Sequence, residues 1–466
     1  MGPIPPLRPL CGSTEYLDQQ LRLVQFVYKV GVWFLAEQSV VNERGGAMLQ
    51  RKADWRAEAR RATVGLFITV MGIFLFLASV SQAARAQTYK VIHHFTNQGT
   101  DGANPYGGPV LDSAGNLYGT TYLGGYWGDG AVYKLSPSGS SWTYTSLYNF
   151  FPIPDGAGPG FGSLAMGPNG ALYGTTESGG GGYFGTAFEI CDCTAREVQI
   201  HAFGYGTDGA QPLGGVVRDA AGNLYGTTSL YGTLGNGTVF EEEWNGSTWT
   251  ESTLYNFTGG DDGASPPAGV TLDAHGDLYG TTSFGGKYYD GVIYKLTRRK
   301  SGWKQSVLHA FRGRSDGQYP VGGVVVDEAG NLFGTTFDGG VKGGGTVYEY
   351  SPSAAAGSKF KTLYSFAGAY GGPYNKLTLA NGKIYGFTEA GGANGWGSIW
   401  VLTPAEGGGW TFTDLHDFTS SSDGTTGGID GAQPYGSLAV DSNGNIFGTT
   451  VIGGSTNQGV VFEITP

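Results

Sequence analysis

After residue 87 the chain is a succession of short segments in which apolar and polar positions alternate, or in which four to six apolar residues follow one another. Turn residues, mostly Gly, Asp, Asn and Ser, separate these segments every 8 to 12 residues. This spacing is typical of short antiparallel β-strands, and the apolar positions do not follow the period of a helix. The pattern therefore predicts an all-β chain.

The alternating segments belong to a long internal repeat. Seven copies of the phrase Gly-Asn-Leu-Tyr-Gly-Thr-Thr, or a variant of it, begin at Gly115, Gly170, Gly222, Gly276, Gly330, Gly382 and Gly444. Successive copies are 52 to 55 residues apart, except for a last interval of 62 that contains an insertion around residues 419–428. Each unit contains an aromatic-rich segment ending in Phe, a D-G-x-x-P loop, a small-apolar stretch, the repeated phrase, a Gly-rich loop and a closing strand.

Each unit has room for four short strands, and sheets of this size satisfy their edges when they pack radially. We therefore predict one domain, a single seven-bladed β-propeller of four-stranded antiparallel blades, over residues 87–466. The domain opens with an aromatic segment, residues 88–95, of the kind that elsewhere follows a unit, and it ends at residues 462–464 without one. We expect residues 88–95 to form the outer strand of the last blade and to close the ring.

The repeated pattern G-N-L-Y-G-T-T-x-x-G-G, followed by G-x-V-F/Y, resembles the GloVer tandem repeat of exported bacterial proteins described as choice-of-anchor tandem repeat proteins. The resemblance covers residues 88–466. It implies a secreted or surface-attached repeat protein with no assigned activity. Family members often carry a C-terminal sorting signal, whereas this sequence stops at Pro466, inside or just after a repeat. We therefore expect free release after signal cleavage rather than surface anchoring.

The sequence before the repeats resembles a secretory signal. The longest apolar run, residues 62–80, follows five basic residues and precedes the small-residue site Ala84-Arg85-Ala86. A basic segment, an apolar core and such a site are typical of a signal peptide. Because the apolar core lies far from Met1, we expect translation to start at Met48, which makes residues 1–47 an over-extended N-terminus and residues 48–86 the signal, cleaved after Ala86. The alternative is an uncleaved membrane anchor.

Composition and charge exclude several classes of protein and of binding partner. Glycine accounts for 85 of the 466 residues without the three-residue period of collagen, and the aromatic content of 14 % is too high for a disordered chain. Without residues 1–86 the chain has 17 basic and 32 acidic residues, a formal charge of −15. We therefore expect no nucleic-acid partner and no membrane contact after signal cleavage. We also expect a monomer, because a closed ring leaves no free sheet edge.

Asp-Gly pairs occur at equivalent loop positions in six of the seven units, at Asp101, Asp155, Asp208, Asp262, Asp316 and Asp430. They are interpreted either as a ring of ligands for a cation or as turn residues. Equivalent positions on different blades diverge outward, so we expect them to cap turns. A second series is interpreted as hairpin turns for the same reason, and it comprises Asp112, Asp219, Asp273, Asp327 and Asp441.

Four histidines share one position in the strand that ends in Phe, and three other units have Tyr there. The histidines are His93, His201, His309 and His416, and the tyrosines are Tyr148, Tyr255 and Tyr364. This substitution pattern indicates a ring packed between blades with a hydrogen-bonded polar tip, and not a metal ligand. The Thr-Thr pair of each phrase is expected to fill the strand and to bond neighbouring backbone. The cluster Glu241-Glu242-Glu243 is expected to form a solvated edge.

The sequence contains no nucleophile elbow, no zinc-protease motif and no phosphate-binding loop. We therefore predict no catalytic residue, no metal site and no cofactor. Cys191 and Cys193 are one residue apart, too close to staple a fold of this size, and we assign them a structural or incidental role.

The Gly-rich loop after Thr-Thr carries different aromatic residues in nearly every unit, and we expect it to share a face with the D-G-x-x-P loop. Exposed rings beside Asp, Asn and Gly accept sugar rings or peptide segments. The alternative is that the rings pack on neighbouring loops and hold the Gly-rich backbone in place. The candidate ligand-binding residues are Tyr122, Tyr126, Trp127, Tyr183, Phe184, Tyr231, Phe284, Tyr288, Tyr289, Phe337 and Trp396.

These observations favour an exported, non-catalytic protein, secreted, periplasmic or on the cell surface, that binds a glycan or a surface protein through one propeller face. The first alternative is an extracellular polysaccharide-acting enzyme with a site where the central channel opens, which converging Asp, His and Tyr residues would favour. The second alternative is a purely structural or adhesive surface protein. Propellers have all three functions, so the fold alone does not separate them.

Overall fold

The computed structural model describes residues 87–466, apart from residues 193–195, 205, 369–371, 375 and 422–423. The expected over-extended segment, residues 1–47, and the expected signal peptide, residues 48–86, lie outside the described residues. Within the described part of the chain, no helix is long and apolar enough to span a membrane.

The described residues form β-strands and one 3-10 turn, Pro168–Gly170. In the first half of the propeller the strands are β1 (Thr88–His94), β2 (Gly102–Ala103), β3 (Val110–Leu111), β4 (Leu117–Thr121), β5 (Leu123–Gly124), β6 (Ala131–Ser138), β7 (Ser141–Asn149), β8 (Ala165–Met166), β9 (Ala171–Thr176), β10 (Thr186–Cys191), β11 (Arg196–Ala202), β12 (Val217–Arg218), β13 (Leu224–Thr228), β14 (Thr238–Trp244) and β15 (Trp249–Asn256). In the second half they are β16 (Thr271–Leu272), β17 (Leu278–Thr282), β18 (Val292–Arg299), β19 (Gly302–Ala310), β20 (Val324–Val326), β21 (Leu332–Thr336), β22 (Gly343–Tyr350), β23 (Phe360–Ala367), β24 (Thr378–Ala380), β25 (Lys383–Thr388), β26 (Ser398–Pro404), β27 (Trp410–Asp417), β28 (Ala432–Val440), β29 (Ile446–Ile452) and β30 (Val460–Thr465).

These strands form seven four-stranded antiparallel sheets and a small pair, β2 with β5. From the inner to the outer strand, blade 1 is β3-β4-β6-β7, blade 2 is β8-β9-β10-β11 and blade 3 is β12-β13-β14-β15. Blades 4, 5 and 6 are β16-β17-β18-β19, β20-β21-β22-β23 and β24-β25-β26-β27, and blade 7 is β28-β29-β30-β1. The predicted seven-bladed propeller is confirmed.

The ring closes in the way that the sequence predicts. Strand β1 pairs antiparallel with β30, from Thr88 opposite Thr465 to His94 opposite Val460. The ring of Tyr89 on β1 stacks on His416 of blade 6 at 3.8 Å between centroids. The first strand of the domain thus completes blade 7 and also packs against blade 6.

The repeated phrase forms the second strand of each blade and is buried along its length. In β13, all five residues from Leu224 to Thr228 are buried, because the strand has a partner on each side and a blade over each face. Gly226 of the phrase lies opposite Phe240 of β14, and a Cβ on Gly226 would lie 2.5 Å from the Phe240 ring. The glycine is therefore required because an aromatic ring covers it.

The hydrophobic core is divided among the interfaces between neighbouring blades. Blades 2 and 3, for example, enclose Tyr173, Phe203, Leu224 and Phe240. The inner ends of the blades approach one another backbone to backbone, since a Cβ on Gly214 of blade 3 would lie 1.8 Å from the backbone nitrogen of Gly269 of blade 4. Small residues are thus required around the axis.

The Gly-rich loops and the D-G-x-x-P loops lie on one face of the propeller, as expected. In blade 3 the backbone N–H of Gln211, the residue before Pro in D-G-x-x-P, donates to the carbonyl oxygen of Phe184 in the Gly-rich loop of blade 2 at 2.9 Å. The Gln211 carbonyl oxygen accepts from the N–H of Ser229, the residue after Thr-Thr, at 3.0 Å. Gln211 has a positive φ of 53°, and equivalent residues of other blades share this conformation. Each D-G-x-x-P loop therefore links its own blade to the preceding one.

Candidate functional site

The aspartates of the D-G loops are turn residues. The Nε2 atom of His93 lies 3.1 Å from Oδ1 of Asp101, whose other oxygen accepts the N–H of Thr96 at 2.8 Å. Where Tyr replaces His, its hydroxyl donates to the equivalent carboxylate, as from Tyr255 to Asp262 at 2.8 Å. Among the described residues, no group of three or more His, Cys, Asp or Glu side chains is placed to hold a metal ion.

The second aspartate series forms the expected hairpin turns, and the paired threonines bond neighbouring backbone in some blades, as Thr175 does, but not through Thr120 and Thr281, whose buried hydroxyls have no partner. Oδ1 of Asp112 accepts the N–H groups of Ala114 at 2.9 Å and Asn116 at 2.8 Å, which defines a hairpin turn. The hydroxyls of Thr176 and Thr186 lie 2.9 Å apart inside blade 2. Cys191 takes part in a disulfide bond, and Cys193 lies outside the described residues.

The expectation of a solvated edge at Glu241-Glu242-Glu243 is wrong for the first two residues. Glu241 is 8 % exposed and accepts the Tyr225 hydroxyl at 2.8 Å, and Glu242 is fully buried with both carboxyl oxygens unpaired. Burial, Glu251 and Asp208 together raise the pKa of Glu242 to about 8. Both side chains are buried because β14 is a third strand, which neighbouring blades cover.

Several of the predicted aromatic residues project into solvent. Trp127 is 56 % exposed and lies edge-on to Tyr126 and Phe151, with ring centroids 4.7 and 5.2 Å away. We call Tyr126, Trp127 and Phe151 the outer platform. The exposed predicted residues are Tyr126, Trp127, Tyr183, Phe284, Tyr288 and Tyr289.

The other predicted residues are half-buried, and some of them pack against neighbouring loops. The rings of Phe184 and Tyr231 lie 5.5 Å apart across the boundary between blades 2 and 3. Trp396 packs against the core between blades 6 and 7. The predicted residues therefore fall into two groups, rings exposed to solvent and half-buried rings. Packing against neighbouring loops, the alternative to ligand binding, applies to the half-buried group.

Tyr122 and Phe337 meet four aromatic residues that the sequence analysis missed. Ring centroids lie 5.3 Å apart for Phe337–Tyr374, 5.2 Å for Tyr374–Tyr435, 5.1 Å for Tyr435–Tyr106, 4.9 Å for Tyr106–Phe161 and 5.4 Å for Phe161–Tyr122. We call these six residues the channel-mouth arc. Tyr106, Phe161, Tyr374 and Tyr435 follow the proline of their loops directly or one residue later. The sequence did contain an indication of these four residues. The similar positions in blades 3, 4 and 5 have the non-aromatic residues Leu213, Pro267 and Val321, so the aromatic rings are confined to one part of the propeller.

Three residues of the arc, Phe161, Tyr374 and Tyr435, line a cavity of about 870 Å³ on the axis of the propeller. Its wall comes from the inner strands and the segments before them, and small residues such as Gly162, Gly214 and Ala268 supply much of it. The charged residues among those described in the lining are Glu177, Arg218 and Lys376. The cavity wall therefore exposes polar and apolar surface in nearly equal shares and includes a few charged groups.

Two glutamates stand beside the arc at equivalent positions, Glu177 directly after Thr175-Thr176 in blade 2 and Glu389 directly after Phe387-Thr388 in blade 6. Glu177 accepts the Tyr122 hydroxyl at 2.8 Å, and burial together with this carboxylate raises the pKa of Tyr122 to about 12. Burial raises the pKa of Glu389. Burial, Glu389 and Glu177 together raise the pKa of Tyr106.

Lys376 lines the same cavity from the inner segment of blade 6. Burial lowers the pKa of its ammonium group to about 8. The channel mouth therefore combines aromatic rings with the side chains of Glu177, Glu389 and Lys376.

A family model described as the Gloeobacter/Verrucomicrobia repeat matches residues 78–273 and again residues 266–466. No curated protein matches the sequence. Among solved structures, a hypothetical selenium-binding protein from Sulfolobus tokodaii is 11 % identical, with 67 % of this chain and 80 % of that one covered and a TM-score of 0.46. A gluconolactonase from Xanthomonas campestris is 12 % identical, with 65 % and 84 % covered and a TM-score of 0.38. Likeness of this degree carries no information about activity or substrate.

Proposed function

This chain belongs to the Gloeobacter/Verrucomicrobia repeat family, and we propose that it is an exported, non-catalytic binding module that holds a glycan on the face of the Gly-rich loops. The observation that carries the proposal is the exposure of large rings on these loops. Trp127 is 56 % exposed, and Tyr183 and Tyr289 are 66 % and 75 % exposed. Flat aromatic surfaces in contact with solvent are suited to stacking on the apolar faces of sugar rings.

The Gly-rich loop of blade 1, which carries Tyr126 and Trp127, is held in place by a hydrogen bond within the loop and by one to Asn149 of β7. The N–H of Gly130 donates to the carbonyl oxygen of Gly124 at 3.0 Å, and the N–H of Tyr126 donates to Oδ1 of Asn149 at 2.9 Å. A ligand therefore meets a preorganised ring surface, which lowers the entropy lost on binding.

The distribution of the exposed rings favours a glycan polymer over a folded protein. The outer platform belongs to the loops of blades 1 and 2, and Tyr288 and Tyr289 form a separate pair on blade 4. A polymer of identical sugar units can contact several separate small surfaces at once, and its affinity then rises through multivalency. A surface protein as ligand is an outcome that the test below also covers.

The test is a glycan-array screen with residues 87–466, which contain the whole closed ring. We expect the wild type to bind, and Trp127→Ala to weaken binding at least about tenfold because the main stacking surface is lost. The matched control is Trp244→Ala, since Trp244 is also exposed, at 39 %, but stands at the opposite end of its strand, β14, from the Gly-rich loop. Equal glycan binding by Trp127→Ala and Trp244→Ala would contradict the proposal. Binding of surface proteins without binding of any glycan would show that the ligand is a protein.

The enzyme alternative is favoured by one observation: Lys376, whose pKa burial lowers to about 8, and Glu177 line the same cavity. A partly neutral amine and a carboxyl group are suited to moving protons. The same screen separates glycan binding from glycan cleavage when the bound glycans are recovered and their masses are measured by mass spectrometry. Intact glycans support a binding module, and shortened glycans support a polysaccharide-acting enzyme.

A further inference from the structure

We propose that Asn245 is a glycosylation acceptor, whose side-chain amide receives an oligosaccharide from a polyprenyl-diphosphate donor after the chain has been exported. Asn245 opens the hairpin turn between β14 and β15, residues 245–248, which we call the acceptor turn. The inference rests on the export that the proposed function includes, and it is independent of glycan binding by the outer platform.

The acceptor turn contains one of three Asn-x-Ser/Thr sequences in the chain. They begin at Asn236, Asn245 and Asn256, and the middle residue is never proline. Such a tripeptide is the acceptor sequence for an oligosaccharide, which is attached on surface loops of exported chains. Because the tripeptide also occurs by chance, exposure and hydrogen bonding must separate an acceptor from the other two sequences.

Asn245 is the one of these three asparagines that lies in a fully exposed turn. Every residue from Glu243 to Thr248 is exposed to solvent. The turn joins the third strand of blade 3 to its outer strand, so it lies far from the axis of the propeller. A transferase can therefore bind the turn without any change in the blade, as at other exposed loop tips.

The hydrogen bonds of the acceptor turn activate the amide of Asn245. The Ser247 hydroxyl donates to Oδ1 of Asn245 at 2.9 Å, and the backbone N–H groups of Ser247 and Thr248 donate to the same oxygen at 3.0 and 2.9 Å. Donors on the amide oxygen draw electron density from the amide nitrogen, because hydrogen bonds polarise the groups that make them. The N–H groups of the Asn245 side chain are therefore more acidic than those of a free amide.

The transfer needs no oxidant or reductant. Nδ2 of Asn245 forms a bond to the anomeric carbon of the donor sugar, and the bond from that carbon to the diphosphate oxygen breaks. The electron pair of that bond leaves with the polyprenyl diphosphate, and one Nδ2 hydrogen leaves as a proton to a base of the transferase. Nδ2 holds its other hydrogen in a bond to Oγ1 of Thr248 at 2.7 Å.

The other two Asn-x-Ser/Thr sequences are bound into blade 3. Thr238, which supplies the hydroxyl after Asn236, is fully buried, and its Oγ1 lies 2.8 Å from that of Thr228. Asn256 belongs to strand β15, and its Oδ1 accepts the N–H of Thr233 at 2.8 Å. A transferase would have to open the blade to reach either sequence, so the folded protein offers Asn245.

A carboxylate precedes the acceptor turn. Glu243 is exposed and lies two residues before Asn245, whereas Leu234 and Leu254 occupy the same position before Asn236 and Asn256. An exposed carboxylate can pair with a cationic group of a transferase. The turn also lies at the opposite end of β14 from the Gly-rich loop, so an attached oligosaccharide would extend away from that loop.

The test incubates purified residues 87–466, which contain the whole closed ring, with a bacterial oligosaccharyltransferase and a polyprenyl-diphosphate heptasaccharide. We expect the intact mass to rise by one heptasaccharide, and peptide mapping to place it on Asn245. Asn245→Gln and Ser247→Ala should abolish the rise, whereas Ser247→Thr should keep it because the hydroxyl is retained. Glu243→Gln should slow the transfer. Because these side chains are exposed, every variant should melt like the wild type.

Asn256→Gln is the matched control, since it removes another Asn-x-Ser/Thr sequence and should be glycosylated like the wild type. No rise in the mass of the wild type, or a rise that persists in Asn245→Gln, would overturn the proposal. The full chain expressed in cells that contain the same transferase outside the cytoplasm tests export separately. Modification of residues 87–466 in vitro, together with an unmodified full chain retained inside the cell, would support the acceptor turn and refute export.

Discussion

Glu242 occupies a core position that other blades fill with an aliphatic side chain, such as Leu296 in blade 4 and Ile464 in blade 7. We predict that Glu242→Leu stabilises the protein by about 5 kcal/mol at pH 7. An unfolded chain has a glutamate pKa of about 4.3, whereas the folded pKa is about 8. Above pH 4.3 the folded state must keep a proton that the unfolded state releases, so the destabilisation by Glu242 grows as the pH rises toward 8.

Urea denaturation of the wild type and Glu242→Leu between pH 4 and pH 8 measures this effect. The stabilisation should shrink to about 1 kcal/mol at the acidic end, where the carboxyl is neutral in both states and only an unpaired polar group remains buried. Glu243→Leu is the matched control, because Glu243 is exposed and should change stability by less than about 0.5 kcal/mol at every pH. A pH-independent difference between the wild type and Glu242→Leu would show that the buried charge is not its cause.

The repeat determines which single residues could be predicted from the sequence. The pairing of His201 with Asp208 was foreseeable in kind, because equivalent positions carry the same residue types in several units. Glu242 was not, because three consecutive glutamates have no alternation that separates a buried from a solvated position. Four residues of the channel-mouth arc were also missed, since residues such as Tyr106 and Tyr435 are far apart in sequence and meet only when the ring closes.

At the scale of the element, strand β1 alone completes blade 7. We predict that deletion of residues 88–95 lowers the melting temperature by at least about 10 °C, because several kcal/mol of strand pairing and core contact are lost. The deletion removes the pairing with β30 and the buried Phe95. It also leaves the β30 backbone as an unpaired edge, so the variant should self-associate. Calorimetry and light scattering measure the two effects.

A synthetic peptide of residues 87–96 provides the control for this deletion. Added in excess, it should restore the melting temperature and the monomeric mass, whereas a scrambled peptide of the same composition should do neither. A deletion variant that melts like the wild type would contradict the role of β1 as the closing strand. The sequence predicted this strand because it has the aromatic pattern of an outer strand without a preceding unit, but the two-residue strands β2 and β5 were too short to give any pattern.

At the scale of the whole molecule, seven blades pack around one axis, and glycines on the inner segments allow the backbones of neighbouring blades to approach closely there. We predict that Gly214→Ala destabilises the protein by about 3 kcal/mol. Gly214 does not have a positive φ, so the backbone itself accepts alanine, but the new Cβ would lie 1.8 Å from the backbone nitrogen of Gly269 in the next blade. In an open sheet one strand could shift to relieve such a contact. In a closed ring, the shift must be absorbed by the other blade interfaces as well.

Gly181→Ala separates this steric effect from the general effect of replacing a glycine. Gly181 also lacks a positive φ, and its Cβ would meet no atom within 4 Å, so the variant should lie within about 0.5 kcal/mol of the wild type in urea denaturation. Because the strain of Gly214→Ala is distributed around the ring, its unfolding should remain a single transition with a lower midpoint. A separate early transition would show instead that blades 3 and 4 part locally and that the ring does not behave as one unit, and equal stability of the two variants would contradict the steric limit at the axis.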